Sequence, residues 1–278
     1  MTDGVQILTL VQWSRGAQWR LGLPHSCAHH ALIWVTKGQA RATVDGVRRG
    51  VGVHNALAVP AGTLFSMDLG TQSFGLVCLI PPNGPFLMPD RPQHLRIREV
   101  QTQSELTALL DALSREANHP RDFSDEARSA LAQQITIWLR RAMINHDPPA
   151  QPTAAERLVT AFAAMVEQSH AEGAPMADYA RDLGVTPTHL TRSCKAVSGM
   201  TAADMLTGRV LHAARDMLET GRDPIRFVAA QLGFSSAAYF SRFIQHHTNL
   251  SPSQMRRAAQ AQSLARDSPA RDSLTRAG

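Results

Sequence analysis

DPIRFVAAQLGFSSAAYFSRFIQHHTNLSP, residues 223–252, sets the organisation of the chain. Asp223-Pro224 reads as a helix start, a capping side chain followed by proline at the first helical position. Ile225, Val228, Ala229 and Leu232 recur three and four residues apart and make one apolar face. Gly233 closes that helix, as glycine does just past a C-cap. Ser235 or Ser236 caps a second helix. Its Tyr239, Phe240 and Phe243 are predicted to bury one side, leaving Ser241, Arg242, Gln245 and His246 on the other. A bracing helix, a glycine turn and a second helix with a polar, cationic face form the helix-turn-helix layout.

The run IRFVAAQLGFSSAAYFSRF, followed by SPSQMRR, resembles the signature of the AraC/XylS transcriptional regulators. The resemblance rests on Gly233-Phe234-Ser235, on Tyr239-Phe240-Ser241-Arg242, and on Ser251-Pro252 with Arg256. Asn249 stands where that family usually has glycine, and Asn tolerates the left-handed backbone. Ile244-Gln245 replaces the common Phe-Lys, which removes one phosphate contact. The plain alternative is an ordinary helix pair in an unrelated α-domain.

A parallel unit lies upstream. Thr153 begins a helix with Glu156 three residues on, a capping box. Met176–Leu183, Gly184 and Thr186-Pro187 then repeat the order short apolar helix, glycine, cap. Thr188–Val197 follows as a helix with His189, Thr191, Arg192 and Lys195 on its polar side. Cys194 occupies a position where the resembled family usually has Phe. Residues 201–219 read as one helix joining the two units, and Arg209, Ala213 and Leu218 match the family's connecting helix. At about 1.5 Å per residue it is about 28 Å long. Successive major grooves on one face of B-DNA lie about 34 Å apart. One chain could then place two recognition helices in adjacent grooves.

Residues 5 to about 98 read as β-rich. Val5–Val11 is a candidate strand, as are Ala31–Thr36, Gln39–Asp45, Ala56–Val59, Leu64–Leu69 and Ser73–Ile80, with turns at Lys37-Gly38, Asp45-Gly46 and Pro60-Ala61-Gly62. Many short strands with regular turns suggest a sandwich or jelly-roll barrel. The order of Gly38 and Pro60-Ala61-Gly62 resembles the cupin-like sensor domain found before many AraC-type DNA-binding domains. Two amphipathic helices follow, at about 104–118 and 124–145. They resemble the family's antiparallel dimerisation helices, and periodicity alone equally allows both to pack on their own barrel.

The fold expected is therefore two-domain: an all-β cupin-like jelly-roll barrel with two helices, then an all-α domain with two helix-turn-helix units joined by a long helix. The expected boundaries are 1–146 for the sensor or dimerisation domain, 147–152 for a proline-rich linker, 153–258 for the DNA-binding domain, and 259–278 for a disordered tail.

Candidate base contacts are Thr188, Thr191 and Arg192 in the first unit and Ala237, Ala238, Ser241 and Arg242 in the second, chosen by polar face and by resemblance. Arg can bridge guanine O6 and N7, and Ala or a Thr methyl can meet a thymine methyl. Arg242 could instead form a structural salt bridge, and Ala237 and Ala238 are weak readers. Lys195, Gln245, His246 and Arg256 are candidate phosphate contacts, which position without specifying.

His25, His29, His30 and His54 raise a metal site. In the metal-binding cupins that the barrel resembles, a carboxylate and a later histidine complete the shell. Here Ile33 and Trp34 stand where the carboxylate would be, and Phe65 where the histidine would be. No metal or cofactor is expected. Trp13, Trp19, Arg20, His29, His30 and Trp34 could instead line an effector pocket, or be ordinary core and rim.

The 278 residues carry a net charge of +5, and residues 151–260 hold 11 Lys+Arg against 9 Asp+Glu, so a DNA reading rests on placement and not on bulk charge. Three cysteines without CxxC spacing argue for a reducing compartment. No stretch resembles a leader or a membrane span, so a cytoplasmic protein is expected. Nucleophile elbows, P-loops and paired-carboxylate motifs are missing, so an enzyme is not expected. The expected function is an effector-responsive, sequence-specific transcription regulator. Its partners would be double-stranded DNA, an unknown small molecule, RNA polymerase if it activates, and a second copy through the helices at 104–118 and 124–145. The rivals are a constitutive DNA-binding regulator with a degenerate dimerising barrel, and a cupin enzyme.

Overall fold

The computed structural model describes residues 4–146 and 151–267, with side chains through 261. In chain order come β1 (Gln6–Thr9), short helices α1 (Leu10–Trp13) and α2 (Trp19–Gly22), then β2 (His30–Lys37), β3 (Ala40–Val44), β4 (Val47–Val51), β5 (Asn55–Val59), β6 (Phe65–Leu69), β7 (Phe74–Ile80) and β8 (Gln93–Arg96). They pair antiparallel into two sheets, ordered β1-β7-β2-β5-β8 and β4-β3-β6. β2 is apolar and buried from Ala31 to Val35 because both its faces are covered. Ala31, Ile33 and Val35 point between the sheets, whereas Leu32 and Trp34 point to the helical side, the period of two that a strand imposes.

Helices α3 (Val100–Asn118) and α4 (Ser124–Ile144) cover that second side. Leu106, Leu110, Leu113, Ile135, Trp138, Leu139 and Ala142 join Leu32, Trp34, Ala58 and Ile80 in one core. Of the two destinations that periodicity allowed for the apolar stripes, a second copy or their own barrel, the stripes take the second and pack on their own sheet. α3 begins at Val100, four residues before the expected start, after Glu99 at its N-cap. β1 is shorter than the Val5–Val11 strand expected, since Thr9 and Gln12 form a capping box that starts α1. β4 and β8 escape the hydrophobic pattern because they are edge strands carrying Arg48, Arg49 and Arg96.

The all-α part holds α5 (Ala154–Ser169), α6 (Met176–Asp182), α7 (Pro187–Ser198), α8 (Ala202–Thr220), α9 (Ile225–Gln231), α10 (Ala237–Thr248) and α11 (Pro252–Asp267). Thr153 and Glu156 form the predicted capping box, and Thr201 and Asp204 form another. Pro224, not Asp223, is the N-cap of α9, and it makes no side-chain bond. Asn249 adopts φ +58°, the left-handed turn anticipated for it. α11 runs on to Asp267, where a disordered tail was expected from 259; its Ala, Gln, Leu and Arg residues are good helix formers. Linker residues 147–150 and tail residues 268–278 lie outside the described residues.

The two parts touch along α5 and α8. Leu64 enters the core formed by Val159, Phe162, Leu190, Cys194 and Met205. Arg20 binds Asp216 at 3.1 Å and Glu219 at 3.0 Å. The guanidiniums of Arg20 and Arg215 lie over the Trp19 ring, 4.5 Å and 4.3 Å from its centre. Ser26 donates to Glu167 at 2.6 Å, and Glu167 holds Arg209 through two bonds. The His25 and His212 rings stack at 4.4 Å. Burial lowers the His25 pKa to about 4, and burial with the neighbouring His25 and Arg209 lowers that of His212 to about 2.

Candidate nucleic-acid interface

The first unit is built by backbone chemistry at its turn. Gly184 takes φ +69°, a conformation glycine adopts at no steric cost. Thr186 then caps α7, its hydroxyl accepting from the His189 amide at 3.2 Å. Leu190, Ser193 and Cys194 turn inward. That leaves Thr188, Arg192 and Lys195 exposed and Thr191 half-buried beside them. Together with Pro187 and Thr201 these four line one open groove, so the structure brings all the first-unit candidates onto one surface. Thr201 caps α8, and sequence reasoning had left it out of the face. Its signal was the Thr201–Asp204 spacing.

The second unit repeats the plan. Gly233, at φ +74°, sits so close to the Ala171 carbonyl and the Gly173 amide that a Cβ would approach both to 2.6 Å. The second turn is thereby seated on the loop before α6. Ser236 caps α10, accepting from the Tyr239 amide at 3.2 Å. Phe240 and Ile244 are fully buried against Leu211, Leu218, Val228 and Met255.

Ala238, Arg242, Gln245 and His246 are exposed, and Ala237 and Ser241 are half-buried. The Ser241 hydroxyl donates to the Ala237 carbonyl at 2.8 Å, which turns it back onto the helix. Arg242 forms no salt bridge among the described residues and lies 6.0 Å from the Tyr239 ring. Tyr239 was expected to be buried and is 55% exposed. The inward positions are instead filled by Phe240, Ile244 and the half-buried Phe243. Tyr239 therefore joins the solvent face, with a phenol able to donate to phosphate. Arg256 is turned away, donating to the Asp223 carbonyl at 2.6 Å and tying down the start of α9.

Residues 179–258 match the model of the family described as helix-turn-helix domain. This segment is an AraC-type helix-turn-helix domain. Its boundaries take in both recognition helices and the whole of α8. A solved structure of ToxT from Vibrio cholerae with unsaturated fatty acid bound is 14% identical, with 90% of this chain and 92% of that chain covered at a TM-score of 0.42. An AraC-type transcriptional regulator from Chromobacterium violaceum is 25% identical, over 38% of this chain and 94% of that chain, at 0.34. A curated relative, histidine kinase P4 of Formosa agariphila, is 27% identical over 138 residues, 48% of this chain. The chain spans about a tenth of that relative's length.

The effector-pocket candidates do not form one site. Trp34 is buried in the sheet–helix core, edge-on to Trp138 at 6.4 Å. Trp13 stacks on Phe65 at 5.6 Å. Trp19 and Arg20 meet each other, but as part of the contact with α8. His30 accepts the Ala61 amide at 3.1 Å, and His29 lies half-buried beside it. No group of three or more His, Cys, Asp or Glu placed to hold a metal occurs among the described residues. No helix among them is long and apolar enough to cross a membrane.

Proposed function

We propose that the protein is a sequence-specific transcription regulator that responds to a small molecule through its N-terminal domain and works in the cytoplasm. The observation that supports this most is the pairing of two capped recognition helices with exposed Thr188, Arg192, Lys195, Tyr239 and Arg242, joined by α8. Thr188, Thr191 and Arg192 would read base edges. Tyr239, Gln245, His246 and Lys195 would hold phosphates. Ala237, Ala238, Ser241 and Arg242 would add what discrimination the second unit has.

The coupling route is the contact on α8. Arg20, Trp19 and His25 hold the helix that sets the spacing of the two units. A ligand that changed how the N-terminal domain sits on α8 would shift the population able to span two grooves. Pairing of two chains through α3 and α4 would have to use outer residues such as Ile137 and Ile144, since the inner stripes are buried. An activator would also need a surface for RNA polymerase.

The test is binding of the full chain to duplex DNA across a salt series, for the wild type and Arg192→Ala. Specific affinity should fall about 10- to 100-fold in the variant, with non-specific affinity less affected. Equal loss on both would make Arg192 a phosphate contact. No DNA binding at any salt would remove the regulator.

A further inference from the structure

A cavity of about 330 Å³ lies where the end of β8, the start of α3 and the end of α4 meet. Ile97, Trp138 and Ala142, all buried, give it an apolar side. The Trp138 indole donates to the Thr102 carbonyl at 3.0 Å, which fixes the ring's pose. Arg96, Arg98 and Arg141 reach the same cavity, two from the strand side and one from the last turn of α4. None of the three forms an ion pair among the described residues. Glu99 and Glu105 line the cavity as well and keep their charge: Glu99 accepts the neutral Thr102 hydroxyl at 2.7 Å, and Glu105 the neutral Gln101 amide at 3.4 Å. The N-terminus of α3 opens on the cavity too, and Glu99 makes no capping bond there.

Arg96 of β8, Arg98 of the connection to α3 and Arg141 of α4 outnumber the two carboxylates of the lining three to two, which leaves a positive balance over an apolar wall. Guanidinium matches a carboxylate through two parallel bonds, while Trp138, Ile97 and Ala142 suit a hydrocarbon body. The volume falls in the range of small-molecule pockets, which are apolar with a few placed polar groups. We propose that this cavity binds a small organic monocarboxylate, its carboxylate on Arg96, Arg98 and Arg141 and its apolar body on Trp138. His146 also lines it and is the last described residue before the segment leading to the DNA-binding domain. The site is thus placed to pass ligand binding on. That regulatory meaning rests on the proposed regulator; the binding itself does not.

The test is titration calorimetry on the full chain with benzoate, phenylacetate and octanoate, each beside its neutral amide and beside inorganic phosphate. At least one acid should bind, at least tenfold more tightly than its amide and than phosphate. Arg141→Ala and Arg96→Ala should each weaken it at least tenfold, with Arg141→Lys retaining part of the affinity. Arg41→Ala, exposed on the other sheet, should leave it unchanged. Both pocket arginines are exposed, and a melting curve checks that the variants stay folded. Silence with all three acids, equal binding of acid and amide, phosphate binding as well as any acid, or indifference to both arginine variants would each overturn the site. Duplex-DNA binding measured alongside keeps the two proposals apart: acids bound without DNA sinks the regulator alone, and DNA bound without acids sinks the pocket alone.

Discussion

The two helix-turn-helix units share a plan and differ in what they present and in what holds them. The first shows Thr188, Thr191, Arg192 and Lys195 along one groove. The second shows Ala238, Tyr239 and Arg242, with Ser241 bonded back to its own helix. Inside, the first unit relies on the small Cys194 and borrows Leu64 from the β-domain. The second builds around Phe240 and takes the half-buried Leu23 from that side. We read the first unit as the reader and the second as the anchor.

The contrast can be attacked at the cores first. Phe240→Ala should cost about 3–5 kcal/mol in urea unfolding of the full chain, because a fully buried ring leaves a cavity. Cys194→Ala removes only one sulfur and should cost about 1 kcal/mol. Equal costs would erase the difference in how the units are held.

Acid should loosen the contact that both units share. His25 and His212 are held neutral when docked, facing Arg20, Arg209, Glu167 and Asp216. The undocked chain therefore binds more protons below pH 6.5. Docking is at full strength above that pH and weakens as pH falls, towards about 4 for His25 and lower for His212. Small-angle scattering should show a larger radius of gyration at pH 5.5 than at 7.5. An unchanged radius would place the histidines outside the docking equilibrium.

On DNA, Arg192→Ala should cost about 1–3 kcal/mol of specific binding, and Arg242→Ala about 1 kcal/mol or less. Fluorescence anisotropy with matched specific and random duplexes separates the two. A larger loss from Arg242 would reverse the roles.

Gly208→Ala isolates the docking itself. A Cβ there would come 2.7 Å from Pro24 Cδ, so the N-terminal domain must shift. The cost to docking is about 1–2 kcal/mol, while α8 gains helix propensity of about 1 kcal/mol. The variant should scatter as a more open molecule, and its DNA affinity should shift with it, as coupling through α8 requires. The smallest effect belongs to Ser241→Ala, whose hydroxyl already faces its own helix; about 0.5 kcal/mol or less is expected in specific binding.

Much of this was legible in the sequence, for local reasons. Thr186-Pro187, Gly184, Gly233 and Asn249 carry their meaning in a few neighbouring residues, so both turns could be read. β2 declared itself by an apolar run, whereas β4 hid behind Arg48 and Arg49. The destination of the α3 and α4 stripes was not legible, since periodicity marks a buried face without naming its partner. The α8 contact joins Arg20 to Asp216, 196 residues away, and no local pattern announces it. Of the aromatics near His29 and His30 that the sequence offers for a pocket, Trp34 is core and Trp19 belongs to the α8 contact. Arg96 and Arg98 lie more than 40 residues before Arg141, on separate segments, and no local pattern joins them.

The most direct test of a reading unit joined to an anchoring unit is selection of the full chain on random duplex DNA at stated salt, followed by sequencing. The enriched site should hold a strongly specified block and a weaker one about one helical turn apart, and Arg192→Ala should erase the stronger. Two blocks of equal strength, both surviving Arg192→Ala, would contradict the division of labour, and no enriched block would contradict sequence-specific binding itself.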